Sequence, residues 1–274
     1  MILYILREKH QYSNKLKTIN PKQNSAEFAL ALFILIMLLN QFIGGLIQSY
    51  NLTLGLLFSQ LFFILLPALF LLKKEVVKSL IIPKESNQFV IILTVVLAAV
   101  PMYIIITFLY WLFVLFFSDS VIEAYEYNKL LDFENSDVFL ILFLYAALPA
   151  ICEELLFRGY FLSVFKKYGI LAALLLPALM FGVFHPNYAR ILPVAVSGLW
   201  LGFLAIKTKT ILLSIFAHFL HNLLVILMFN FSEDFSYLRI VYEDGQVKIY
   251  LVIVSAVVMF VLTKTLNNLN LQKN

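Results

Sequence analysis

The chain has 274 residues, a formal net charge of +4 and a pI near 9.0, with 62% of its residues hydrophobic and 13% charged. A soluble domain is nearer half apolar and a quarter charged, so a mean hydropathy of +0.94 excludes a water-soluble globule and makes lipid the solvent. The modest positive charge is a matter of membrane topology and not of nucleic acid, and a single cysteine, Cys152, excludes an intrachain disulfide and the paired-cysteine metal motifs.

The chain opens on a basic, polar stretch with Arg7, Lys9, Lys15, Lys17 and Lys22. The apolar run from Phe28 exceeds twenty residues and lacks a small-residue cleavage site, so it reads as a retained first span and not a signal peptide. Runs apolar enough to cross ~30 Å of hydrocarbon lie at about 27–49, 52–72, 89–117 and 137–165. They continue at about 170–185, 190–206, 210–230 and 248–263, the fifth and the last ones short or interrupted. Barrel-type alternation is absent and lipid tolerates no unpaired backbone groups, so the spans are helices. The expectation is an all-α, polytopic membrane bundle of about eight transmembrane helices. Residues 1–26 form a basic cytoplasmic segment, and 27–136 hold helices 1–3 with an acidic loop. Residues 137–230 hold a core of helices 4–7, and 231–274 a loop and helix 8.

Loop charges orient the bundle. With the N-terminus inside, one side collects Arg7 to Lys22, Lys73 to Lys84, Arg158 to Lys167, Lys207, Lys209, Lys264 and Lys273. The other keeps only Lys129, Arg190, Arg239 and Lys248. This is the positive-inside bias, with both termini cytoplasmic. The acidic loops at 119–137 and 232–244 read as solvated outer loops.

Three clusters interrupt the apolar pattern. A charged side chain at bilayer depth costs roughly 2.5–3.5 kcal/mol on insertion scales, so such residues mark function by default. The fourth span carries Glu153-Glu154-Leu155-Leu156-Phe157-Arg158. Glu154 and Arg158 are i,i+4 on one helical face in the favourable order and read as an ion pair. Glu153 lies ~100° around the helix, has no partner nearby in sequence, and is the better candidate for chemistry. Pro149 removes a backbone donor just before the site. The fifth span ends on Phe181-Gly182-Val183-Phe184-His185, where Pro186 favours a stop. The seventh carries His218-Phe219-Leu220-His221-Asn222, with His218 and Asn222 on one face and His221 pointing partly elsewhere.

The clusters are expected to meet. A hairpin turning near Lys167-Tyr168-Gly169 puts Glu153 sixteen residues before Gly169 and His185 sixteen after it, each about 24 Å from the turn. Gly198 and Gly202 form a G-x-x-x-G pair that lets a neighbouring helix approach closely. The active site is placed among helices 4, 5 and 7.

Together, Glu153-Glu154-x-x-x-Arg158, Phe181-x-x-x-His185 and His218-x-x-x-Asn222 resemble the CPBP (CAAX protease and bacteriocin-processing, or Abi) family of intramembrane proteases, which includes the eukaryotic prenyl-protein endoprotease Rce1. The resemblance covers about 140–225; the first three spans show nothing diagnostic. It implies that Glu153 with His185 activates water against a peptide bond, and that His218 and Asn222 stabilise the oxyanion or hold the site together. Glu154 and Arg158 then support the site.

The residues make sense of that chemistry, which needs a base beside a water and a donor where the carbonyl oxygen becomes negative. A second arrangement stays open, in which Glu153, His185 and His218 hold a divalent metal such as zinc with an open water position. The helix-borne H-E-x-x-H signature is absent. The expected substrate is a membrane-associated protein or peptide, reached from the bilayer or its surface. The high Ile, Lys, Asn and Phe content points to a bacterial cell membrane. Two other classes compete: a proton-coupled transporter, which also uses intramembrane Glu, Arg and His, and a non-catalytic bacteriocin-immunity protein.

Overall fold

The fold is given by a computed structural model that describes residues 25–72, 87–114, 137–230, 242–243 and 246–269. Most of the basic N-terminal segment and most of both acidic loops lie outside the described residues.

Among the described residues, eight helices occupy the eight apolar runs. They are α1 (Ala26–Tyr50), α2 (Leu52–Leu71), α3 (Gln88–Val114), α4 (Val138–Tyr168), α5 (Ile170–Phe184), α6 (Ile191–Thr208), α7 (Leu212–Asn230) and α8 (Ile249–Asn268). Their starts follow from capping chemistry. Ser25 accepts from the Phe28 amide, Asn51 from Leu54 and Asp137 from Phe139, each satisfying a donor that the first turn leaves open. Asn51 is also fully extended (φ −152°), which separates α1 from α2 without a longer loop. A two-residue antiparallel pair, Tyr242–Glu243 with Gln246–Val247, precedes α8; the other described elements are helical.

Six of the eight are long and apolar enough to cross a membrane, α6 together with the short turn before it. The exceptions are α5 and α7, whose apolar portions run over Ile170–Phe184 and Leu212–Met228. The 15 residues of α5 reach ~22 Å at 1.5 Å each, short of ~30 Å of hydrocarbon. The bundle is polytopic as expected, but eight full-length crossings are not what the helix lengths give. One histidine motif ends the short α5 and the other lies on α7.

The α4–α5 hairpin turns where the sequence places it. A single 3-10 turn, Lys166–Tyr168, leads to Gly169, whose φ of +110° is a conformation that side chains with a Cβ disfavour. Helices α5 and α6 then pack tightly. A Cβ on Gly198 would lie 3.1 Å from the Ala178 backbone, and one on Gly182 only 2.3 Å from the Ile191 carbonyl oxygen. Gly202 has more room, with Leu174 at 3.4 Å, so the close approach of the G-x-x-x-G pair is concentrated at Gly198.

One buried apolar cluster joins the bundle, from Ala29 and Phe33 on α1 through Phe157 and Phe161 on α4 to Met259 and Leu266 on α8. Large apolar side chains such as Phe42, Phe70, Phe139 and Phe260 stay exposed. Such a surface is tolerable where the solvent is hydrocarbon. Cys152 is buried and free, in keeping with a filler role.

Candidate active site

Helix α4 is not a regular α-helix where it matters. A wide π-helical stretch, Phe143–Ala147, precedes Pro149, and a second, Leu155–Phe161, follows Glu154 directly. Departures of this kind are frequent at functional sites, because the extra residue per turn re-aims side chains. Between the two stretches stand Glu153 and Glu154, both buried.

Glu154 is wholly enclosed and forms an ion pair with Arg158, as the i,i+4 spacing predicts. Arg158 also donates from Nη2 to the Gly198 carbonyl at 3.1 Å and lays its guanidinium over the Phe181 ring, 4.5 Å from the centroid. The fourth, fifth and sixth helices are therefore tied through one arginine. Two unlike charges at bilayer depth are tolerable only when paired and bonded in this way. Glu154 Oε1 also meets His218 Nδ1 at 3.0 Å. A carboxylate there accepts, so Nδ1 carries the proton and donates.

His218, buried on α7, turns its other nitrogen toward the neighbouring acid. Nε2 lies 4.0 Å from Glu153 Oε2, too far for a direct hydrogen bond. His185 sits at the C-cap of α5, where its Nδ1 donates to the Phe181 carbonyl at 2.9 Å. That carbonyl can only accept, which fixes the tautomer and leaves Nε2 of His185 as the free acceptor. Phe181 lies between the two imidazoles, edge to face with His185 at 5.2 Å and with His218 at 5.6 Å.

The structure thus brings Glu153, Glu154, Arg158, His185 and His218 into one neighbourhood. Asn222 lies half-buried one turn beyond His218 on α7. His221 points away toward Tyr103, with ring centroids 6.2 Å apart. Among the described residues no group of three His, Cys, Asp or Glu side chains is gathered closely enough to hold a metal ion. The carboxylate and two imidazoles that the sequence offers as ligands are therefore not assembled as a ligand set here.

One participant escapes the sequence reading. Gln60 on α2, within the π-helical stretch Ser59–Leu65, donates from Nε2 to Glu153 Oε1 at 3.1 Å. The first three spans carry no motif, and the available signal was only a lone amide in an otherwise apolar run, which in lipid needs a partner.

Residues 135–224 match the family model described as type II CAAX prenyl endopeptidase Rce1-like. The match holds all three clusters and covers about a third of the chain, leaving α1 to α3 and α8 outside it. No curated protein and no solved structure matches the chain. Residues 135–224 are accordingly similar to the Rce1-like family, in keeping with the resemblance that the three motifs carry.

Proposed function

We propose that this multi-pass membrane protein is an endopeptidase that cleaves a peptide bond of a membrane-associated protein or peptide. The observation that carries the reading is a buried carboxylate, Glu153, with His218 Nε2 4.0 Å from its Oε2, in one neighbourhood with two imidazoles whose Nδ1 atoms are both already bonded elsewhere. Each ring is held in place, and its Nε2 is left for chemistry.

In this reading Glu153 and His185 Nε2 hold and activate a water. Its oxygen attacks the scissile carbonyl carbon while Glu153 takes the proton. The carbonyl oxygen, now negative, is met by His218, through Nε2–H in its imidazolium form, and by the Asn222 amide. Collapse of the tetrahedral species breaks the C–N bond, and the proton on Glu153 passes to the leaving nitrogen. Glu154 and Arg158 act behind His218 by fixing its Nδ1. The Rce1-like match supports the substrate class. A prenyl-protein substrate is the family precedent, and no residue of this chain calls for a prenyl group.

The test uses purified protein in detergent with a quenched peptide library, assayed with and without a chelator. Cleavage that disappears in Glu153→Gln supports the reading. Ion-coupled flux in liposomes without any cleavage would replace it with transport.

A further inference from the structure

Gln60 is buried (9% exposed) in a stretch otherwise made of Leu, Phe, Ile and Ser59. Among the described residues its only side-chain hydrogen bond is the one to Glu153, because its Oε1 is also buried and has no partner. An amide in that setting costs free energy unless it is bonded, so an apolar residue of similar length would suit a packing role better. The contact divides the two carboxylate oxygens of Glu153. Oε1 accepts from Gln60, whereas Oε2 faces His218 Nε2 across 4.0 Å.

We infer that Gln60 is a positioning residue for Glu153, locking one carboxylate oxygen so that the other is presented to the water. The inference rests on the reading of Glu153 as the base. Glutamine suits the task because its neutral amide N–H donates to Oε1 in both states of the acid. It donates to the carboxylate before the proton is taken. Once Oε2 carries the proton, Oε1 is the carbonyl oxygen of the acid and still accepts from the same N–H. The side chain of Glu153 is then held in one rotamer through both halves of the cycle, which an apolar side chain does not achieve.

Gln60→Met keeps length and approximate volume but removes both polar functions. Losing a hydrogen bond to a charged group translates into a kcat lower by about tenfold to a hundredfold, with KM within about twofold because Gln60 touches no substrate. A double-mutant cycle with Glu153→Met, which leaves no acceptor for the Gln60 amide, read as melting temperature in detergent, separates contact from packing: the two substitutions are non-additive if Gln60 acts through Glu153. Gln60→Asn, one methylene too short to reach, carries the same kinetic test if the Met variant does not fold. Unchanged kcat in a folded variant, or additive melting shifts, would overturn the inference. Full turnover by Glu153→Gln would sink the reading of Glu153 as base and the catalytic part of this inference with it. The melting cycle reports on the Gln60–Glu153 contact separately.

Discussion

Removing Arg158 should damage the protein far more than removing Arg158 and the charge of Glu154 together. Arg158 is 3% exposed and Glu154 0%, so Arg158→Met strands a carboxylate with no access to water. What remains to Glu154 is the His218 Nδ1 contact on Oε1, since its Oε2 has no hydrogen-bond partner. The substitution also deletes the bond to the Gly198 carbonyl and the contact with the Phe181 ring. Breaking one side of a buried pair costs about 3–5 kcal/mol, which for a chain of this size corresponds to a melting temperature lower by roughly 6–20 °C. In Glu154→Gln/Arg158→Met the stranded charge is gone, and the new amide oxygen still accepts from His218 Nδ1. The double variant should recover at least about 2 kcal/mol of the loss. Melting of the wild type, both single variants and the double variant in one detergent decides the matter. A double variant no more stable than Arg158→Met would refute the argument that uncompensated charge, and not lost packing, dominates.

Further outcomes follow from the same geometry. Glu153→Gln should lower turnover by about 10²–10⁴ while leaving the melting temperature near wild type, as expected for general acid–base chemistry; peptide cleavage beside thermal melting checks both halves. Asn222→Ala should lower kcat by about 10²–10³ if its amide meets the oxyanion, measured on the same peptide; a change in KM alone would remove Asn222 from that role. Gly182→Ala drives a methyl group to within 2.3 Å of the Ile191 carbonyl oxygen. It should destabilise by about 1–3 kcal/mol through overpacking between α5 and α6, read by thermal melting. Lys207 is buried and donates from Nζ to the Asn267 and Leu269 carbonyls at the end of α8, at 3.1 and 3.2 Å. Lys207→Met should fray that terminus and speed amide exchange at Leu269, whose N–H bonds to the Thr265 carbonyl; unchanged exchange there would show that the lysine is dispensable.

Local chemistry was legible in the sequence, and distant pairing was not. Glu154 and Arg158 meet because i,i+4 spacing survives even through a wide π-helical stretch, and α5 stops at His185 because Pro186 follows. The hairpin at Gly169 could be read from a glycine between two apolar runs. Gln60, by contrast, lies 93 residues from Glu153, and nothing in α2 says which helix it faces. The bond from Arg158 to Gly198 is equally invisible, since a backbone carbonyl has no sequence signature. Which of the eight helices are long enough to cross was hidden for a related reason. Hydropathy finds apolar runs, but length decides whether a run crosses, and α5 ends early at the site it helps to build.

That early ending has a consequence for the lipid. The 15 residues of α5 span about 8 Å less than ~30 Å of hydrocarbon, and a bilayer meets such a shortfall by thinning locally or by letting headgroups sink inward. A dimple of this kind above His185 would shorten the path that water travels to reach Glu153 and let a polypeptide be cut without being pulled through the full fatty layer. Vesicles made with progressively longer acyl chains would deepen that well, and slower cleavage in them would be its signature.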